Sequence, residues 1–166
     1  MSMLLLFQLM LKGQSPYKVY YYTTEDGLPQ NTVTCIIKDS RGFLWFGTPN
    51  GLCRFDGYQI RVYKTETTGS GISMNTIHSL CEDDKGNLWI GSAKGLVYFS
   101  FQQEKLSAVK FPWHNANTKK INAVRAWKGE LWLATQNGLY KGSYSINDEQ
   151  PEIQTCLLYT SDAADE

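Results

Sequence analysis

The sequence predicts an all-β fold made of short antiparallel strands, and three observations support this prediction. A tryptophan-containing segment occurs three times, with Trp45, Trp89 and Trp132 spaced 44 and 43 positions apart. Aromatic residues make up 13% of the chain and there are 14 glycines, a composition that suits short strands joined by many turns. No segment has the long apolar period of an α-helix. A repeat of this length is typical of propellers, solenoids and arrays.

The strands that contain the tryptophans are apolar on both faces, at residues 44–46, 88–90 and 131–133. A half-buried strand alternates apolar and polar residues, so these strands belong to a sheet that is covered on both sides. Because helices are not predicted, the cover is another sheet of the same kind, and four-stranded sheets stacked around an axis are the blades of a β-propeller. We expect each tryptophan to pack between neighbouring blades. Gly47 and Gly91 would let the next blade approach, and Ala134 departs from this pattern at the third site.

Three blades of four antiparallel strands are predicted, at about residues 32–64, 76–111 and 121–155, in a ring that is not closed. The predicted strands of the first two blades are 32–37, 43–47, 52–55 and 58–63, then 76–81, 88–91, 96–99 and 106–111. The third blade has predicted strands at 121–127, 131–135 and 139–140, with a weak fourth strand near Ile153. A further strand at 17–22 precedes the blades and is expected to complete the last blade of the closed ring.

Three glycines, Gly51, Gly95 and Gly138, close the second turn of each blade, where we expect a backbone conformation that favours glycine. In the first turns, Asp39 and Asp84 resemble pieces of a calcium-binding loop but lack its Asp-x-Asp-x-Asp-Gly spacing. No cysteine recurs at an equivalent position of the repeat, and no pair is spaced as CxxC. The sequence therefore predicts no metal site and no cofactor.

The N-terminal segment predicts the cellular location of the chain, and its charge bears on its partners. Residues 1–14 resemble a truncated secretory signal peptide, which predicts export. Residues 156–166 continue no repeat and are interpreted as a tail that is not native to the protein. Three blades cannot close a ring, so we expect a fragment whose exposed apolar edges associate, for example in a homodimer. The formal charge is zero, with 16 basic and 16 acidic residues, which argues against nucleic acid as a partner.

The repeat itself resembles a known family. In the first blade its pattern is carried by Asn31, Val33, Ile36, Asp39, Gly42, Leu44, Trp45, Gly47, Thr48, Gly51, Leu52, Phe55 and Asp56. This pattern is similar to the two-component regulator propeller repeat, and residues 20–31 resemble the start of the mature sensor region of hybrid two-component systems.

That resemblance implies the N-terminal part of the periplasmic sensor region of an inner-membrane protein. Further blades, a membrane helix and histidine kinase domains would follow in the full-length chain. The resemblance also implies that this segment has no catalytic residues and that its partner is a carbohydrate breakdown product. His78 and His114 lie in no kinase-like helix, so neither is assigned as the kinase phosphoacceptor.

Propeller ligands usually bind at one end of the axis, on the loops before the first strands and those between second and third strands. Asn31, Asn75 and Asn122 are predicted at the start of the three first strands, and Trp113 lies in a loop outside the repeat. The asparagines can bind sugar hydroxyls or cap local turns. Trp113 can stack on a sugar ring or pack between blades. These four residues are the predicted oligosaccharide-binding positions, with both alternatives open for each.

Two other functions stay open from the sequence. A propeller enzyme similar to the streptogramin lyases would need a general-base histidine and an acidic metal site at the axis, and the chain has only two histidines. A structural or adhesive propeller of a cell-surface protein is the other hypothesis.

Overall fold

The computed structural model describes residues 18–63, 76–109, 120–147 and 150–159. Within these residues the chain forms a short 3-10 turn at Thr24–Asp26 and twelve β-strands. The strands make three four-stranded antiparallel sheets, each a meander of sequential hairpins. The predicted all-β propeller architecture with an open ring is confirmed. The predicted leader at 1–14 lies outside the described residues.

Each sheet corresponds to one predicted blade. The first sheet contains β1 (Cys35–Lys38), β2 (Leu44–Thr48), β3 (Gly51–Phe55) and β4 (Ile60–Tyr63). The second contains β5 (Ile77–Glu82), β6 (Leu88–Ser92), β7 (Gly95–Ser100) and β8 (Lys105–Ala108). The third contains β9 (Ile121–Trp127), β10 (Glu130–Thr135), β11 (Gly138–Asn147) and β12 (Gln150–Tyr159).

The first turn of the first two blades is built around one aspartate. The carboxylate of Asp39 accepts hydrogen bonds from the backbone N–H groups two and four residues later, at 3.0 and 2.9 Å, and from the indole Nε1–H of Trp45 at 2.9 Å. Asp83 makes the same three bonds, including one of 3.1 Å from Trp89. The two aspartates occupy equivalent positions of the repeat, 44 residues apart. These side chains fasten the turn to the core tryptophan.

The second turn of every blade is closed by a hydroxyl group and a glycine. The pairs are Thr48–Gly51, Ser92–Gly95 and Thr135–Gly138, with hydroxyl-to-carbonyl distances of 2.8, 2.9 and 2.9 Å. The three glycines have φ values of 132°, 140° and 127°, in the region that other residues rarely adopt. The predicted turn role of these glycines is confirmed.

The sheets pack face to face, with tryptophans between them. Trp45 is fully buried and contacts the ring of Phe99 in the second blade at a centroid distance of 5.1 Å. Trp89 is also fully buried and contacts Tyr144 of the third blade at 4.8 Å. Every residue of β6 is buried, whereas β2 and β10 alternate between buried and half-buried positions along much of their length. The middle sheet is thus covered on both faces, as predicted, and the outer sheets mainly on one.

Two glycines set how closely neighbouring blades approach. A Cβ atom added to Gly47 would lie 2.6 Å from Cγ2 of Ile77, the first residue of the next blade's inner strand. At Gly91 the corresponding distance, to Cγ2 of Ile121, would be 2.8 Å. Such distances are well inside van der Waals contact, so both positions need glycine for steric reasons. The predicted role of these glycines in blade contact is confirmed.

Two strand predictions, at residues 17–22 and near Ile153, have opposite outcomes. The strand predicted at 17–22 is wrong in its described part, since residues 18–22 pair with no described strand and Tyr21 is 84% exposed. Strand-forming side chains stabilise a strand only beside a partner edge, and Tyr22 instead packs on the ring of Phe55 at 5.0 Å. The weak fourth strand near Ile153 is confirmed, and β12 continues to Tyr159, past the predicted blade limit at residue 155.

Candidate functional site

The first strands of the three sheets, β1, β5 and β9, lie innermost and line a groove of about 520 Å³. This position follows from packing, because β5 contacts β1 and β2 of the preceding sheet and β9 contacts β5 and β6. Two bonds hold β9 against β5. The backbone N–H of Val124 donates to Ser79 Oγ at 3.1 Å, and that of Ala126 donates to Cys81 Sγ at 3.1 Å. We call this cavity the axial groove.

Two polar residues of the axial groove lie at irregularities in strand pairing. In β5 the pairing with β6 passes from Ile77 to Ser79 and skips His78. In β9 the pairing with β10 skips Asn122 in the same way. Such bulges often re-aim a side chain beside a functional site. Both residues line the axial groove, which brings one predicted site residue and one unpredicted residue together.

Thr34 holds the same repeat position in the first blade, 44 residues before His78, which is itself 44 residues before Asn122. Its hydroxyl lies 2.9 Å from the carbonyl oxygen of Gly47 and 2.5 Å from that of Ile77. The side chain of Thr34 therefore joins the first sheet to the second. In the next two blades the equivalent side chains face the groove.

His78 has hydrogen-bonding capacity that the described part of the protein does not use. Its Nε2 atom is buried without a hydrogen-bond partner among the described residues. Burial, and secondarily the nearby charge of Lys120, lower the pKa of His78 below its usual range. The imidazole is therefore neutral at neutral pH and can either donate or accept a hydrogen bond.

The axial groove is lined by one carboxylate, Glu82, and one guanidinium, Arg125. Glu82 accepts hydrogen bonds from the backbone N–H of Ser40 at 2.8 Å and from its hydroxyl at 2.6 Å, and it lies 3.9 Å from the guanidinium of Arg41. The guanidinium of Arg125 donates to the carbonyl of its neighbour Val124 at 3.0 Å. Among the described residues, no carboxylate lies within ion-pair distance of Arg125. Arg125 is thus left without an ion-pair partner among the described residues, while Glu82 is already bonded to the first blade.

The predicted end of the axis is also formed as expected. The backbone N–H of Thr76, before β5, donates to the carbonyl of Pro49 in the second turn of the first blade at 3.0 Å. The carbonyl of Thr76 in turn accepts from the N–H of Ala93, in the second turn of the second blade, at 3.0 Å. The start of β5 and the second turns of two blades therefore share one end of the molecule.

Of the predicted binding residues, the two that the structure describes, Asn31 and Asn122, lie in different surroundings. Asn31 precedes β1, and its Oδ1 atom accepts a hydrogen bond from the backbone N–H of Thr24 at 2.9 Å, which is the local capping role. Asn122 lies inside β9, in the axial groove. Asn31 and Asn75 are 44 positions apart, whereas Asn122 follows Asn75 by 47, so it does not share their repeat position. Asn75 and Trp113 lie outside the described residues.

His78 is the groove residue that sequence reasoning missed. The signal that could have found it is the common spacing of Thr34, His78 and Asn122, each directly after a β-branched apolar residue. Spacing alone does not show that this position bulges towards the axis, because that depends on the pairing register. The register shifts only become visible in the folded sheets.

A second groove of about 570 Å³ lies beside the first turns, at the opposite end of the strands. One of its two cations, Arg41, stacks on the ring of Phe101 at 3.9 Å and donates to the carbonyl of Gly86 at 2.8 Å. Arg41 thereby joins the first two blades. We assign this groove a structural role and treat the axial groove as the candidate site.

Metal and thiol chemistry find little support in the described residues. No group of three or more His, Cys, Asp and Glu side chains there could hold a metal ion. Cys35 and Cys53 are free thiols, and burial raises their pKa, that of Cys53 to about 11, so they are poor nucleophiles at neutral pH. Within the same residues, no helix is long and apolar enough to cross a membrane.

Comparison with known sequences finds relatives of the repeated segments. The sequence model of the two-component regulator propeller family matches residues 27–50 and 71–94. Histidine kinase P4 of Formosa agariphila is 42% identical over 55 residues, which are 32% of this chain and 4% of that protein. The chain therefore spans only a small part of the relative it matches.

Solved structures share the fold. The extracellular domain of a protein assigned as a one-component system in B. thetaiotaomicron is 25% identical, with a TM-score of 0.67, and the match covers 86% of this chain and 18% of that one. The extracellular domain of another, assigned as a hybrid two-component system, is 22% identical with a TM-score of 0.65, covering 90% and 20%. Virginiamycin B lyase of Staphylococcus aureus is 19% identical with a TM-score of 0.53, covering 73% and 40%. The lyase likeness concerns the fold alone.

Proposed function

We propose that the chain belongs to the two-component regulator propeller family, whose repeat matches residues 27–50 and 71–94, and that it is a ligand-sensing segment of a two-component sensor. The observation that carries this proposal is that the two repeat matches each contain the first two strands of a blade. The likeness to a histidine kinase and to extracellular domains of signalling systems points the same way. We place the segment in the periplasm, as the sensor part of an inner-membrane histidine kinase.

The chemistry of the axial groove suits binding better than turnover. Asn122, His78 and Arg125 offer an amide, an imidazole and a guanidinium, which bind hydroxyl and carboxylate oxygens. A lyase would need a general base and an acidic metal site at the axis. The groove's carboxylate, Glu82, is held by Ser40 of the neighbouring blade. We therefore favour a non-catalytic role for this segment.

The ligand that fits this proposal is an oligosaccharide released by polysaccharide breakdown. Sugars present several hydroxyl groups in fixed directions, and the groove offers polar side chains from adjacent blades at the same repeat position. The exposed side chain of Ile36 adds an apolar surface against which a sugar ring can lie.

The proposal is tested on the sensor region encoded by the complete gene. Enzymatic digests of plant and algal polysaccharides would be screened for an increase in its melting temperature. A ligand at about 100 times its Kd adds roughly 2.7 kcal/mol to the stability of the folded state, which is readily detected. The same digest should induce a reporter gene in cells that carry the sensor. A stop codon directly after the propeller, or the absence of any stabilising digest, would contradict the proposal.

A further inference from the structure

We propose that the axial groove recognises an acidic oligosaccharide. In this complex Arg125 binds a sugar carboxylate, and His78 and Asn122 form hydrogen bonds with neighbouring hydroxyl groups. This inference rests on the proposed sensing function and names the ligand class for the same site.

The charge of the inner strands supports an anionic ligand. The residues that line the axial groove include one cation, Arg125, and one carboxylate, Glu82. That carboxylate is engaged by Ser40 and Arg41 of the first blade. Arg125 and Lys120 are left without a carboxylate partner among the described residues. A ligand carboxylate would pair with Arg125, because a guanidinium can bind it with two parallel hydrogen bonds.

The backbone geometry supports a ligand-binding role for His78 and Asn122. Each is the unpaired residue of its bulge, and each follows an isoleucine, Ile77 or Ile121, that packs fully buried against the preceding blade. The repeat thus separates two tasks at neighbouring positions. The isoleucine holds the blades together, while the next side chain differs between blades without disturbing that packing.

The three polar groups come from two strands that are in direct contact. Asn122 and Arg125 lie on β9, and His78 lies on β5, which β9 contacts directly through the bond from Val124 to Ser79. All three line the same groove. The buried Nε2 atom of His78 has no partner among the described residues, so a ligand hydroxyl would satisfy it.

The test is isothermal titration of the sensor region with two matched probes, trigalacturonate and neutral galactotriose, at about pH 7.5, where His78 is neutral. We expect trigalacturonate to bind at least about tenfold more tightly than galactotriose, the ratio that one charge-assisted bond provides. Arg125→Gln should weaken trigalacturonate binding by about 10- to 100-fold and change galactotriose binding by less than about twofold. His78→Ala should weaken both probes.

A matched control and a second variant keep the test decisive. Arg61→Gln removes an exposed arginine of the outer strand β4, which pairs with Glu104 at 3.3 Å, and should leave both affinities unchanged. If Arg125→Gln fails to fold by circular dichroism, Arg125→Lys and Lys120→Gln replace it, and each should reduce the preference for the acid. Equal binding of the two probes, or an unchanged preference in these variants, overturns the inference alone. If polysaccharide digests also fail to stabilise the protein, the sensing function itself is overturned.

Discussion

Replacing Gly91 by alanine tests whether blade spacing depends on the absence of a side chain. The new Cβ would lie 2.8 Å from Cγ2 and 3.4 Å from the carbonyl oxygen of Ile121. The first distance is about 1 Å shorter than a favourable carbon–carbon contact, and overpacking of this kind costs roughly 1–3 kcal/mol. Alanine also restricts the unfolded chain, which offsets about 0.4–1 kcal/mol. We expect Gly91→Ala to lower the free energy of unfolding by about 1–2 kcal/mol.

The measurement is urea denaturation followed by tryptophan fluorescence, at two protein concentrations because the outer sheets can associate. Gly47→Ala should cost more, since its Cβ would meet both Cys35 Sγ at 2.5 Å and Ile77 Cγ2 at 2.6 Å. Ala134→Gly, at the same position of the third blade, is the control and should cost only about 0.5–1 kcal/mol from backbone entropy. A double-mutant cycle of Gly91→Ala with Ile121→Ala should show a coupling of at least about 0.5 kcal/mol. A neutral or stabilising Gly91→Ala, or an additive cycle, would refute the steric explanation.

Three further predictions concern the turn, the blade junction and the groove. Asp83→Ala removes the buried carboxylate that accepts hydrogen bonds from the Trp89 indole and from two backbone N–H groups. We expect the free energy of unfolding, measured by urea denaturation, to fall by about 2–4 kcal/mol. A loss below about 1 kcal/mol would contradict this role. Thr34→Val removes the hydrogen bond from the Thr34 hydroxyl to the carbonyl of Ile77, which joins the first two sheets, and should lower the free energy of unfolding by about 1 kcal/mol. An unchanged urea midpoint would argue against this role of Thr34. Because the pKa of His78 is lowered in the folded protein, the unfolded chain binds a proton on this imidazole more tightly. The contribution of His78 to the free energy of unfolding is therefore fully present above about pH 6.5 and is lost as pH drops through the folded-state pKa. The urea midpoint should therefore fall less between pH 7.5 and 5.5 in His78→Gln than in the wild type, and equal losses would disprove the link.

The strands and turns could be predicted because their signals are local. The apolar stretch around each tryptophan predicts a sheet covered on both sides, which the middle sheet shows, and Gly51 or Gly95 fixes a turn whose backbone angles exclude most other residues. Residues 18–22 show the limit of this reasoning. Their aromatic side chains favour a strand, but a strand also needs a partner edge, which the local sequence does not reveal.

The candidate site was harder to predict because it depends on pairing between strands. Asn31 and Asn122 look alike in the sequence, yet one caps a loop and the other projects at a bulge in the axial groove. The difference comes from a register shift between β9 and β10, which has no signature of its own in the side chains. The same shift in β5 places His78 in the groove.

The most direct measurement is a two-dimensional ¹⁵N–¹H NMR titration of the sensor region with trigalacturonate. Binding in the axial groove predicts that the largest shifts fall on the backbone amides of β5 and β9 around His78, Asn122 and Arg125. The amides of the second groove, around Phe101, should stay unchanged. Shifts centred on Phe101, or shifts spread evenly over the outer strands, would contradict recognition at the propeller axis.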